Sequence, residues 1–520
     1  MNGFLKRITL VLFTIVINQK GFAQNEPTFE MTKIGPDYLL DNAFDLHFGP
    51  DDYLWITEKK GIVTRVDPIT GVRDDVIQLA DLSASGSQDG LLGMAFHKEF
   101  NSGKPYVYLS YTHDVSGKRK QKIVRYTYSV QQNDGLLSSP IVIFDNLPSS
   151  HDHQSGRLVF GPDNKLYHTI GDQGVKDCNL NLAQSLPTQE EVNQQNWKNY
   201  PGKVLRLNLD GSIPDDNPII DGVRSHVYTY GHRNPQGLIF GNSGLLYSSE
   251  HGPSSDDELN LISAGKNYGW PFVSGIKDNL MYDSDGCHSN ETSFTNPNYQ
   301  DPLLSMYLPN SNEAQGTDCN NAWMCRPNIA PSSIHIYESD AIYGWNKSLL
   351  ITSLKKGRVY RVKLSEDGAS VIEELEEYFY TANRYRDIAI GPEGKSFYII
   401  TDKAGKTADA SGKNVITTLQ HPGSILKFTY QESMSAIQVE KHQIFRAWVE
   451  PSQHQLYIDI NNDKVVNINA ELINSMGQIV KRFSNLIPGI NQVNIEGVVS
   501  GLYLLNIKDE NHYEQKRLMF

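Results

Sequence analysis

Residues 149–174, SSHDHQSGRLVFGPDNKLYHTIGDQG, gather groups able to move protons. His151, Asp152, His153 and Gln154 open the stretch, and Gly171-Asp172-Gln173-Gly174 close it. Between them the chain alternates through Leu158 and Phe160, turns at Gly161-Pro162-Asp163-Asn164, and alternates back through Leu166 and Tyr167. This pattern reads as a β-hairpin with its turn at one end and both polar groups together at the other. Imidazole beside carboxylate is the equipment of general acid–base catalysis. Imidazole titrates near neutral pH, and a carboxylate stabilises its protonated form.

The elements that must position these groups recur along the chain. Residues 44–58 repeat the pattern around Gly49-Pro50-Asp51, residues 237–253 around Gly241, and residues 387–402 around Gly391-Pro392-Glu393-Gly394. Looser copies with longer turns lie at residues 91–110 and 333–351, which makes six hairpins in all. Each is followed by one or two further strand candidates, such as Ile62-Val63-Thr64-Arg65-Val66. Units of about four strands, repeating at roughly fifty residues or more, predict an all-β fold, a six-bladed β-propeller. Sandwich strands need not recur as one motif, and β-helix repeats are shorter. Helical periodicity is scarce, and its best stretch, residues 188–197, reads as a loop insertion.

In a propeller the start of each blade's first strand and the end of its second emerge on one face. Those positions hold Gln88 and Asp89, then Asp152, His153, Asp172 and Gln173. They continue with Arg233, Asn234, His251, Gly252 and Pro253, then Lys355, Arg384, Arg386 and Asp402. Solvated loops are polar by default, which accounts for part of this set. It does not account for Arg233, Lys355, Arg384 and Arg386 at one mouth of a chain of net charge −13. Such a group suits a multiply anionic, planar small molecule. The acidic balance argues against nucleic acid, whose phosphates need a basic surface.

At 520 residues, 39% hydrophobic and 21% charged, the chain suits a large soluble β domain followed by a small one. Lys6 and Arg7 precede the apolar run from Ile8 to Ile17, and Gly21-Phe22-Ala23 offers a cleavage site, so residues 1–23 read as a signal peptide for export. Four cysteines are too few for a disulfide framework; Cys319 and Cys325 are close enough to bridge a loop, while the state of Cys178 and Cys287 stays open. A linker near residues 431–435 separates a propeller at 28–430 from a small β-sandwich at 440–520.

The rim residues carry a resemblance to the soluble PQQ-dependent glucose dehydrogenases of the glucose/sorbosone dehydrogenase family. It runs from about Asp41 to Tyr430 on SSHDHQSGRL, IGDQG, GKVLRLNLDGSIP, GHRNPQG, GPSSDDE, NYGWP, APSS, SLKKG and NRYRD, in that order. The resemblance implies a six-bladed propeller that oxidises an aldose at C1, with pyrroloquinoline quinone (PQQ) and Ca²⁺ as cofactors. It implies His153 as general base with Asp152 beside it, Asp172 assisting, and Arg233 stabilising charge on the quinone. Gln88 and Asp152, with Trp323 and Arg326, would bind the sugar. Arg233, Asn234, Lys355, Arg384, Arg386 and Asn328 would hold the cofactor. Main-chain oxygens of Gly252 and Pro253 would bind the activating Ca²⁺, and Ser274, Ile276 and Asp278 a structural one whose glutamate partner has no clear counterpart here. The chain departs from the family at Arg326, where a Trp is usual, at Asn328 for a Thr, and at Trp323 for a Tyr, so the sugar itself is open.

The tail from Ser500-Gly501-Leu502-Tyr503 to Lys516-Arg517-Leu518-Met519-Phe520, with the turn Asn474-Ser475-Met476-Gly477-Gln478, resembles the C-terminal sorting domain of the type IX secretion system. It implies a secreted or surface-attached protein handled by that machinery. An external electron acceptor is a further expected partner, and the family's dimers make a second copy another. The alternatives are oxidation of another sugar or polyol, a non-catalytic glycan-binding propeller, and a Ca²⁺-dependent lactonase, which the cation group speaks against.

Overall fold

The computed structural model describes residues 27–431 apart from 132–133, 281–289, 308–323 and 325, and residues 445–519 apart from 451–453, 461–467, 475–477, 500–501 and 509–512. The signal segment 1–23, Cys287, Cys319, Trp323, Cys325, residues 475–477 and most of the linker lie outside the described residues. The chain divides into two compact units, Met1–Gln431 and Glu432–Phe520.

Hairpin chemistry builds the first unit. In four of the repeats a glycine N–H closes the turn on the return strand: Gly49 on Tyr53 O (2.7 Å), Gly161 on Lys165 O (2.9 Å), Gly241 on Leu245 O (2.9 Å) and Gly391 on Ser396 O (2.8 Å). At Gly161 a Cβ would lie 2.5 Å from the Tyr167 ring, so the turn packs only as glycine. Each hairpin then extends into a four-stranded antiparallel sheet. Blade 1 begins with Ala43–Phe48 and Leu54–Glu58, blade 2 with Leu91–Phe96 and Tyr106–Val115, and blade 3 with Ser155–Phe160 and Leu166–Ile170. Blade 4 begins with Pro235–Phe240 and Leu246–Glu250, blade 5 with Pro331–Tyr337 and Ser348–Ser353, and blade 6 with Tyr385–Ile390 and Ser396–Thr401.

The first strands are neighbours in order, and that of blade 6 returns to that of blade 1. The ring is a six-bladed propeller, as the repeats predict. Its outermost blade 6 strand is the N-terminal Thr28–Ile34, paired antiparallel with Ile425–Gln431, so the two ends of the unit lock the ring. Apolar side chains fill the seams between blades; Trp55, Val63 and Val76 of blade 1 meet Leu91, Met94 and Leu109 of blade 2. The expected loop insertion carries a short helix, Gln189–Asn193, started by a Thr188–Glu191 capping box.

One arginine joins the blades on the axis. Arg157, on the first strand of blade 3, reaches Asp45 Oδ1 of blade 1 (2.5 Å) and Asp387 Oδ2 of blade 6 (2.8 Å) through the same terminal nitrogen. Its Nε donates to Gln236 O of blade 4 (3.0 Å) and its other terminal nitrogen to Ser332 O of blade 5 (3.3 Å). Asp45 Oδ2 accepts from Met94 N of blade 2 at 2.7 Å, which brings in the sixth blade.

Cys178 is disulfide-bonded. In the second unit a sheet of Phe445–Glu450, Gln455–Ile460 and Gly489–Asn494 shares a core with a sheet of Ile468–Asn474, Ile479–Leu486, Leu502–Lys508 and Tyr513–Met519. Leu456, Ile458, Leu472 and Leu505 are fully buried between them, the expected small β-sandwich. Among the described residues no helix is long and apolar enough to cross a membrane.

Candidate active site

A cavity of about 550 Å³ opens where first strands begin and second strands end. All six blades supply its wall: Asn42 and Lys59, Gln88, then Asp152, His153 and Asp172. These are followed by Arg233, His251, Gly252 and Pro253, then Arg326 and Asn328, then Arg384, Arg386 and Asp402.

His153 is set by the hairpin's two polar ends. Its backbone is left-handed (φ 43°), and Ser150 Oγ bridges Asp152 O (2.7 Å) and Gln173 O (3.1 Å). At Gly171 a Cβ would stand 2.0 Å from His153 O, so only glycine lets the two ends meet. His153 Nδ1 lies 2.6 Å from Asp172 Oδ1, while Nε2 lies 3.9 Å from Asp152 Oδ1. Asp172 is therefore the direct partner of the imidazole, closer than the neighbouring Asp152.

Asp172 is buried and fully satisfied. Gly174 N also donates to Oδ1 (2.9 Å), and Asn181 Nδ2 (2.9 Å) and Trp270 Nε1 (2.7 Å) donate to Oδ2. Burial pushes its carboxyl upward, but His153, Arg233 and the Gly174 N–H together hold it below the usual range. An ionised carboxylate only accepts, so Nδ1 carries the proton and Nε2 is left as the acceptor. Asn181 carried no signal in the sequence, because a lone asparagine in a loop has no type or spacing that marks it.

Gln88 Nε2 donates to Asp152 Oδ1 at 2.5 Å, and Asn234 Nδ2 lies 3.4 Å from Gln88 Oε1. Asn234 is fully buried with its own carbonyl held by Ser155 Oγ (3.0 Å) and Gln236 Nε2 (2.9 Å), so it stands behind Gln88 and not on the cavity wall. Arg233 lies over the Trp270 ring at 5.2 Å and donates to His251 O at 3.2 Å. Its buried Nε has no hydrogen-bond partner among the described residues, an unmet donor in a cavity wall. Burial, then Arg233 and His153, push the His251 imidazolium well below its ordinary range, so His251 is neutral and donates from Nε2 to Pro331 O (2.8 Å).

Arg384 and Arg386 share one carboxylate. Arg386 grips Asp402 through Nε and a terminal nitrogen (both 3.0 Å), and Arg384 Nε reaches Asp402 Oδ2 at 3.0 Å. Burial raises the Asp402 carboxyl, but the two guanidiniums bring it down from 3.8 to about 2. A carboxyl whose folded pKa is depressed adds stability above its unfolded pKa and loses it as pH falls through the folded one. The gap in stability between wild type and Asp402→Asn is therefore expected to be about 2 kcal/mol at neutral pH. It should close between about pH 4 and pH 2, as read by acid unfolding.

Besides Asn234, four groups differ from the sequence reading. His151 is exposed and does not line the cavity, and Gln154 is buried on Ser149, Ser150 and Gln121 as a loop brace. Lys355 is fully buried behind the wall, with its ammonium on Asn328 Oδ1 and Arg326 O (3.0 Å). A desolvated ammonium needs such acceptors, so Lys355 fixes Asn328. Lys59, on blade 1, lines the cavity and was missed.

A family model for glucose/sorbosone dehydrogenase matches residues 40–409. The chain belongs to that family. It is 41% identical over 431 residues to quinoprotein glucose dehydrogenase B of Acinetobacter calcoaceticus, covering 75% of this chain and 89% of that protein. A solved soluble aldose sugar dehydrogenase of Escherichia coli, in its apo-form, superposes with a TM-score of 0.57 at 25% identity, covering 78% of this chain and 100% of that one. The PQQ-bound aldose sugar dehydrogenase of Streptomyces coelicolor shares the fold, with a TM-score of 0.56 at 24% identity, covering 78% of this chain and 99% of that one. A second family model, for a secretion system C-terminal sorting domain, matches residues 448–520.

As a glucose/sorbosone dehydrogenase the chain is an oxidoreductase, and its cation-holding loops can be tested on donor chemistry. Gly252 and Pro253 line the cavity, and neither carbonyl accepts a hydrogen bond from the described residues. Gly252 is fixed from behind by its N–H on Asp257 Oδ1 (3.0 Å), while Asp257 Oδ2 takes Ile329 N (2.6 Å) and Ala330 N (2.9 Å). Two free carbonyls on a fixed loop suit a hard cation. The loop of Ser274, Ile276 and Asp278 is different. Ile276 O already accepts Asp278 N (2.9 Å), and Asp278 Oδ1 accepts Leu280 N (2.7 Å). Buried Glu291 holds the loop from inside, on Ser274 N (3.0 Å) and Asn279 N (3.1 Å). Among the described residues no cluster of three or more His, Cys, Asp or Glu is arranged for a metal.

Proposed function

We propose that the chain oxidises an aldose at C1 to its lactone, with PQQ as resident electron acceptor and Ca²⁺ at Gly252 and Pro253. The observation that carries this reading is the acceptor Nε2 of His153 in one cavity with Arg233, whose buried Nε has no partner among the described residues. The quinone, when bound, supplies the two-electron acceptor for the C1 hydrogen that no side chain here can provide. His153 Nε2 takes the proton of the C1 hydroxyl, and Asp172 steadies the imidazolium from the opposite nitrogen. Gln88 and Asp152, joined at 2.5 Å, orient the sugar hydroxyls. Arg233, stacked on Trp270, holds positive charge where negative charge develops. Arg384, Arg386 and Asn328 bind carboxylates and carbonyls of the cofactor, with Lys355 and Asn234 fixing the wall from behind.

Arg326, on the wall with Asn328, sets which aldose fits. The second cation loop at Ser274, Ile276 and Asp278 is proposed as structural only. The sorting-domain match and the signal segment support export to the medium or cell surface through type IX secretion. Purified protein given PQQ and Ca²⁺ should reduce an artificial electron acceptor when aldoses are added. Absence of turnover across aldoses and polyols, with PQQ bound, rejects the activity; turnover on polyols alone moves the substrate to that class.

A further inference from the structure

Lys59 follows the second strand of blade 1, Leu54–Glu58, and the mechanism above gives it no role. It is held at three points. Its N–H donates to Asn42 O (3.0 Å), its carbonyl accepts Leu91 N (3.1 Å), and Nζ donates to Ser87 O (3.0 Å). The neighbouring Gly90 has left-handed backbone (φ 115°), and a Cβ there would strike Lys59 O at 2.1 Å. The contact of Nζ with Ser87 O fixes the half-buried side chain itself. Ser87 directly precedes Gln88, and both line the cavity with Lys59, Arg384 and Arg386.

Charge makes the position informative. Asp402 already engages both Arg384 and Arg386, so that sector carries one net positive charge without Lys59 and two with it. PQQ bears three carboxylates. An ammonium using one of its three donors on Ser87 O keeps two for an anion.

We propose that Lys59 is a further cofactor-anchoring residue, whose ammonium binds a PQQ carboxylate from the blade 1 side while Ser87 ties it to the loop that carries Gln88. This rests on the PQQ reading of the cavity. The charged groups facing Lys59 are Arg386, Arg384, Asp402 and Asp89. Burial and Arg386 push the ammonium down against the pull of Asp402, with Arg384 adding to the push and Asp89 opposing it, to about 7. An arriving carboxylate favours the charged form, so the lysine takes up a proton on binding.

The test is titration of the full-length, Ca²⁺-loaded protein with PQQ, followed by absorbance and calorimetry without sugar. Lys59→Met is expected to weaken PQQ binding about tenfold or more, as loss of a charge-assisted hydrogen bond does, and Lys59→Arg to preserve it. At pH 8, in buffers of different ionisation heat, wild type should take up more protons on binding than Lys59→Arg. That comparison holds even if Lys59→Met does not fold. Wild-type PQQ affinity in Lys59→Met, equal proton uptake in wild type and Lys59→Arg, or a raised sugar KM with unchanged PQQ affinity each overturns the assignment. A wild-type chain that takes up no PQQ overturns the reading of the cavity itself, and Lys59 with it.

Discussion

His153→Ala is expected to lower kcat for aldose oxidation by between about a hundredfold and ten-thousandfold, with PQQ binding retained. The magnitude is that of a positioned general base, and the geometry says why it is concentrated in one nitrogen. Asp172 takes four donors, so its carboxylate stays ionised in a buried position and fixes the proton on His153 Nδ1. Asp172→Asn can present an N–H to the ring instead, which favours the opposite tautomer and leaves Nε2 protonated. That variant should lose about a hundredfold or more in kcat while PQQ titrates normally. Asp152→Asn should act chiefly on sugar KM, because Asp152 meets Gln88 at 2.5 Å and the imidazole only at 3.9 Å. A His153→Ala protein within about tenfold of wild-type kcat would remove His153 as the base.

Arg157→Met is expected to destabilise the propeller by about 3–5 kcal/mol, the cost of leaving buried charge without its partner. Asp45 and Asp387 both face Arg157 on the axis, and Burial pushes Asp387 up to about 6 even with the guanidinium present. Without Arg157 the two carboxylates would repel each other, and Gln236 O and Ser332 O would lose a donor. The thermal midpoint of the full-length protein should fall by several degrees in Arg157→Met. Much of that loss should return when Asp45→Leu and Asp387→Leu are added, because an apolar replacement of a whole buried ionic group is often neutral. A midpoint unchanged in Arg157→Met would show that seam packing alone holds the ring.

The repeat of turns between alternating strands, closed by glycine in four of the six copies, determined the blades, because period-two patterning and turn chemistry act over a few neighbouring residues. The same locality gave the hairpin that holds His153 and Asp172, and the rim order that places Gln88, Arg233, Arg384 and Arg386 on one face. Tertiary structure decided what the residues do once the ring closes. It made Asp172 rather than Asp152 the partner of the imidazole, because Asn181 from the loop that follows and Trp270 from a distant one satisfy the same carboxylate. It withdrew Lys355 and Asn234 behind the wall and brought Lys59 into it, since burial and orientation depend on contacts between blades. It also turned Arg157, an unremarked strand residue, into the junction of the axis, which no pattern within one hairpin could reveal. Types and spacings set the chemistry that is available; closure of the ring sets which atoms meet.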